Sequence, residues 1–162
     1  MNSKIIASAL FLATSSLILP TQASPLSDLI ESHSLNWLLG SWASGDGNVK
    51  LTYEYRLDKA IIGVKFAMGD NSAEGMIALK PGTKESIYVS VDSKGNVSKG
   101  TWAEHEGHPL LKSTITGAEG EMKMASEHIN VDAETMKVKV YRQNDAGGPG
   151  EMLAEVELKR AK

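Results

Sequence analysis

The sequence predicts an all-β protein, a closed antiparallel up-and-down β-barrel of about ten strands entered through a short N-terminal helix. Three observations carry this expectation. Apolar and polar residues alternate with a period of two through most of the chain: Val49, Leu51, Tyr53, Tyr55 and Leu57 fall on one face, and Lys50, Thr52, Glu54, Arg56 and Asp58 on the other. Short Gly, Asn and Asp connections separate these runs, too short for the crossover that parallel pairing needs, so neighbours are antiparallel. Many strands, each with one apolar face, bury those faces and lose their edges most simply by closing on themselves.

Ahead of the barrel, Lys4 precedes an apolar and small-residue stretch over 5–19, followed by Pro20, Thr21, Gln22 and Ala23. A positive start, an apolar centre and a small residue at the end describe a signal peptide over 1–23, with the barrel domain over 24–162. Thr14, Ser15 and Ser16 interrupt the apolar stretch, which argues against a membrane span. The mature protein is expected in the periplasm or secreted, without a membrane span. The chain has no cysteine, so an exported domain of this size must be held by its core and not by disulfides. Its formal net charge is −3, with no basic run, which removes the electrostatic footprint of a nucleic-acid-binding protein.

Taken in order, Leu26, Leu29 and Ile30, then Leu35, Trp37 and Leu38, suit one or two helical turns, with Ser27 or Ser34 available as caps and Gly40 as the break. The run 49–57 is the first long strand. Ile62, Val64, Phe66 and Met68 continue the same parity, and further strand-like runs lie near 73–80, 85–92, 97–104, 110–116, 121–129, 135–143 and 151–160. Turn residues fall between them at Gly69-Asp70-Asn71, Lys80-Pro81-Gly82, Ser93-Lys94-Gly95-Asn96, Glu106-Gly107, Gly117 to Gly120 and Gly147-Gly148-Pro149-Gly150. A two-sheet sandwich is the structural alternative.

The short helix, then Gly40-x-Trp42, then the strand series closing on Arg160, resembles the lipocalin-like barrels, or calycins. In that superfamily the Trp packs across the closed end of the barrel and a basic residue of the last strand stacks over it, so the resemblance implies that Gly40, Trp42 and Arg160 close one end. A guanidinium on an indole face makes physical sense there, through cation–π attraction and apolar contact. The motif Leu-x-Trp-Leu-x-Gly-x-Trp over 35–42 is similar to the opening of uncharacterised bacterial lipocalin-like domains and, more distantly, to nitrobindin, a haem-binding ten-stranded barrel; Gly45 and Gly47 echo its glycines. Nitrobindin-like barrels present a haem-ligating His late in the chain. The run 152–158 has none, so a haem or nitric-oxide reading would have to rest on His128.

If the apolar parity faces inward, the lumen receives Tyr53, Tyr55, Phe66, Met68, Met122, Met124, Met136, Val138, Val140, Met152, Val156 and Leu158. A Met-rich lining adapts to an irregular apolar ligand and equally makes a filled core. Ser126, His128 and Arg142 share that parity, as do Trp102 and Glu104, and a few polar groups in an apolar lumen would orient a ligand's head. Arg142 could clamp a carboxylate or phosphate. The competing reading places these residues at strand ends or pairs them, for instance His128 with Glu104.

No metal site is expected. His105-Glu106-Gly107-His108 has two His three residues apart in a loop, without the helical spacing that aligns two imidazoles, and reads as solvated loop. No cysteine nucleophile, Gly-x-Ser-x-Gly elbow or glycine-rich phosphate loop occurs, so no cofactor is expected. The expectation is an exported, monomeric or homodimeric barrel that binds or carries a small hydrophobic or amphipathic molecule without catalysis, with Tyr53, Tyr55, Phe66, Met124, Ser126, His128 and Arg142 as ligand-binding candidates. A haem- or nitric-oxide-binding barrel and a small enzyme using His128 and Glu104 are the alternatives.

Overall fold

A computed structural model describes residues 25–161, and the expected signal peptide over 1–23 lies outside the described residues. The helix α1 (Pro25–Ser32) is followed by a 3-10 turn (Asn36–Leu38) and ten strands: β1 (Gly40–Ser44), β2 (Val49–Arg56), β3 (Ile61–Met68), β4 (Asn71–Leu79), β5 (Ser86–Asp92), β6 (Val97–His105), β7 (His108–Gly117), β8 (Gly120–Asp132), β9 (Thr135–Gln143) and β10 (Pro149–Arg160). Each strand pairs antiparallel with the next, and β10 pairs with β1 to close the barrel. The architecture is the closed, all-β antiparallel barrel that the alternation and the short turns predict, and it is compatible with the lipocalin-like fold that the resemblance implies. No helix among the described residues is long and apolar enough to cross a membrane.

Asx chemistry makes several of the connections. Asp46 accepts the Asn48 backbone N–H, Asp92 those of Lys94 and Asn96, Asp132 that of Glu134, and Asn144 those of Ala146 and Gly148, each over 2.8–3.0 Å. The Ser44 hydroxyl on Asp46 and the Asn96 side-chain amide on Asp92, with these backbone bonds, hold the Asp46, Asp92 and Asp132 carboxyls below the usual carboxylate range. Between β6 and β7, Glu106 (φ +51°) and Gly107 (φ +81°) form a two-residue turn with both central residues left-handed, which matches the right-handed twist of the strands and sets His105 opposite His108.

Cross-strand register fixes what faces inward. Trp42, Leu51, Tyr53, Ile62, Val64, Ile77, Met136, Val138 and Leu158 form a buried core with Leu26 and Ile30 of α1 and Leu38 of the 3-10 turn. Leu26 and Ile30 are four residues apart, so one face of α1 lies on the barrel end.

Two inward assignments are corrected. Leu57 is not strand: the hairpin reverses after the pair Arg56–Ile61, and Leu57, Asp58 and Lys59 take φ values of 49–67°, leaving the Leu57 side chain in solvent. Met152 faces outward, because two register shifts, between Pro149 and Met152 and between Met152 and Ala154, each insert an extra residue into β10 and set Met152 opposite Tyr141 in place of an inward neighbour. Met68 and Met122 keep inward parity but lie near strand ends and are largely exposed.

Candidate functional site

At one end of the barrel β1 and β10 set Trp42 directly opposite Arg160. The guanidinium carbon stands 4.2 Å from the centroid of the buried indole. Its nitrogens donate to the carbonyls of Leu39 (2.9 Å), Trp37 (3.1 Å) and Ala133 (3.3 Å), while the Trp42 indole N–H donates to the Leu38 carbonyl at 3.0 Å. The planar fork thus satisfies carbonyls at the end of the 3-10 turn that the helix geometry leaves unpaired. Gly40 has φ +115°, and a Cβ there would lie 2.7 Å from Arg160 Nη1, so glycine is needed both for the backbone and for the guanidinium.

Beneath α1 at this same end lies a cavity of about 330 Å³, near the lower bound for small-molecule pockets. Leu26, Leu29, Ile30, Leu35, Leu38 and Leu39 wall it from the helical segment; Tyr53, Ile62, Ile77, Trp102 and Pro109 wall it from the strands; Lys84, Glu85 and Glu104 stand on its rim. In the sequence, the apolar spacing of the helical segment is a fold signal alone. That Leu26 and Ile30 roof a cavity depends on where the helix lands on the barrel.

Three rings meet on the strand side. The Tyr53 and Trp102 centroids are 6.2 Å apart, nearly edge to face, and Trp102 and His128 are 4.9 Å apart. His128 Nδ1 lies 3.2 Å from the Ser126 carbonyl, which can only accept, so that nitrogen carries the proton; Nε2 then accepts from the Tyr53 hydroxyl at 3.0 Å. Burial pushes the His128 imidazole down to about 4 and raises the Tyr53 phenol above its ordinary range, so both are neutral at physiological pH. The trio therefore carries no charge.

Among the described residues, two polar atoms near this end lack a hydrogen-bond partner: Tyr55 Oη and Trp102 Nε1 are buried without one. The indole is a donor only, and it belongs to a ring that lines the cavity. A buried donor left unpaired costs free energy.

The sequence candidates divide between the two ends. Tyr53 and His128 come together at the cavity end, with Ser126 contributing its carbonyl. Tyr55 is half-buried near α1, with Lys59 above its ring. Phe66 and Met124 are half-buried toward the other end, as the pairs Phe66–Ala73 and Met124–Arg142 place them. Arg142 has inward parity, yet its side chain is largely in solvent at the far rim, 4.0 Å from the Glu151 carboxylate. The pairing of His128 with Glu104 is not formed: Tyr53 and Ser126 occupy both nitrogens of His128, and Glu104 is exposed on the rim.

The outer face of β7 and β8 holds a second group of polar residues. Leu110, Ala125 and Glu127 point away from the lumen yet are buried, Glu127 to 3% exposure. Glu127 accepts from the Tyr141 hydroxyl (3.1 Å) and lies 3.3 Å from His105 Nδ1. Burial and this carboxylate push the Tyr141 phenol up to about 12. His105, Glu106 and Glu127 each bring one donor atom within 4.8 Å of the others, a set that a divalent cation could use, although the sequence reads this hairpin as solvated loop. Strand register between β7 and β8 brings Glu127 there, which loop spacing alone does not reveal.

Compared with known proteins, the chain matches no family model and no curated protein.

Proposed function

We propose that this is an exported, non-catalytic barrel that binds or carries a small hydrophobic or amphipathic molecule, held beneath α1. The observation that supports this best is the cavity itself: a pre-formed space of about 330 Å³ walled mainly by Leu, Ile, Tyr and Trp side chains, roofed by a short helix and offering a small number of polar atoms. The resemblance to lipocalin-like barrels points the same way. The two nitrogens of His128 are both spent on internal hydrogen bonds, so this imidazole is not offered to a haem iron or to a reacting group.

Native mass spectrometry tests this reading on protein isolated from its own source without refolding. A reproducible excess mass, released on denaturation, is the expected result and gives the ligand's mass. A bare polypeptide mass from several such isolations would sink the carrier reading.

A further inference from the structure

We infer that the outer face of the barrel, at the β6–β7 turn, binds one first-row divalent metal ion of the zinc type, held by His105 Nδ1 and the carboxylates of Glu106 and Glu127, with a further coordination position left to solvent. The site stands outside the cavity and does not depend on the carrier reading.

Geometry comes first. The β6–β7 hairpin presents His105 and Glu106 at its tip, and the pairing of β7 with β8 brings Glu127 beside them. One donor atom from each lies within 4.8 Å of the other two. His105 Nδ1 and Glu127 Oε1 are 3.3 Å apart, and a tetrahedral ion with bonds of about 2.0–2.1 Å sets its ligand atoms at about that separation. Closing the third side takes only a rotation of the exposed Glu106 side chain. With the ion in place, the His105 ring holds its proton on Nε2 and turns the Nδ1 lone pair to the metal.

Burial supplies a second, independent reason. The Glu127 side chain is 4% exposed although it points away from the lumen, and a carboxylate stripped of water needs a positive partner. Lys139 lies opposite it on β9, yet among the described residues no Lys or Arg forms an ion pair with Glu127; its partners are the His105 ring and the Tyr141 hydroxyl. Tyr141 donates to Oε2 and leaves Oε1 directed at His105, as an outer hydrogen bond fixes a ligating carboxylate. The surroundings are negative. Beyond burial, the hydrogen bond and charge of Glu127 and the charges of Glu106 and Glu155 push the Tyr141 phenol up to about 12, and of these three Glu155 is already matched by Lys137 at 3.1 Å. An imidazole beside two carboxylates suits zinc and its first-row neighbours, whereas calcium and magnesium take oxygen ligands.

Zinc chloride, with calcium chloride as the comparison, tests this by calorimetry on chelator-stripped wild-type protein and on Glu106→Gln, Glu127→Gln, His105→Asn and His108→Asn, each checked for fold by circular dichroism. In parallel, the imidazole nitrogen resonances are followed in nitrogen-15-labelled protein. One zinc should bind per chain, with no calcium uptake. Affinity should fall about tenfold in Glu106→Gln and at least about a hundredfold in His105→Asn and Glu127→Gln, and hold in His108→Asn, the cross-strand neighbour of His105. The His105 Nδ1 resonance should move with zinc. Because Glu106 is exposed in the turn, its variant reports on binding even if replacing the buried Glu127 disturbs the fold. No zinc uptake by the wild type would leave a plain histidine–carboxylate contact and overturn the inference. Calcium bound as tightly as zinc, zinc affinity that survives both His105→Asn and Glu106→Gln, or its loss in His108→Asn would overturn it too. None of these outcomes touches the carrier reading.

Discussion

The two ends of the barrel are built from the same alternating strands and yet differ in nearly every physical respect. At the helix-covered end, Trp42, Met136 and Leu158 are almost wholly buried, a guanidinium is spent on three carbonyls, and a neutral ring cluster backs a cavity. At the other end the turns are short and closed by their own Asp and Asn side chains, Met68 and Met122 stand largely exposed, and Arg142 meets Glu151 in solvent. Parity alone therefore does not make a residue part of a lumen. Depth along the barrel decides, and the helical segment supplies that depth at one end only.

The largest test of this contrast is the plug. Trp42→Ala removes a fully buried indole, its hydrogen bond to Leu38 and the surface on which Arg160 lies, and is expected to lower the unfolding free energy by roughly 3–5 kcal/mol. Phe66→Ala, at the half-buried far end, should cost about 2 kcal/mol or less. Urea unfolding of both variants makes the comparison; equal losses would mean that the ends share the load.

His128 sharpens the contrast through pH. Its imidazole sits at about 4 in the folded chain against about 6.5 when unfolded. Above pH 6.5 neither state binds the proton and this contribution is complete. As the pH falls toward 4 the unfolded chain takes up a proton that the folded chain refuses, so stability declines, by roughly 3 kcal/mol in all, and levels off below. His128→Gln should flatten the unfolding free energy between pH 7 and 4, with the Asx carboxylates adding their own losses only at lower pH. A wild-type profile that stays level from pH 7 to 4 would show that the imidazole is not buried as described.

The smallest effect belongs to the far rim. Arg142→Ala breaks an exposed contact with Glu151 and should change stability by less than about 0.5 kcal/mol. It should also leave binding of a neutral ligand unchanged, read by calorimetry. A marked loss of affinity would move the ligand site to the opposite end of the barrel.

Much of this was legible in the residues. The barrel, its strand count and the helix follow from local patterning, since period-two alternation and turn chemistry are written within a few residues of where they act, while the meeting of Gly40, Trp42 and Arg160 follows from the resemblance. The two register shifts in β10 were not, because each extra residue in a strand shifts parity without altering composition. Nor was the strand-to-turn change at Leu57, where an apolar residue continues the pattern past the point at which the hairpin reverses.

What the amino-acid sequence determined by itself is the architecture: alternating faces and antiparallel neighbours, set by short-range spacing, with the Trp–Arg closure implied by the resemblance to lipocalin-like barrels. What only the tertiary structure decided is which polar groups meet. Tyr53 and His128 are 75 residues apart and Trp102 lies between them in the chain; one register and one barrel closure join them, and docking of α1 turns the space beside them into a cavity. Hydrogen bonding and burial depend on distances of a few tenths of an ångström between strands far apart in sequence, so periodicity marks the inward residues without saying which of them touch.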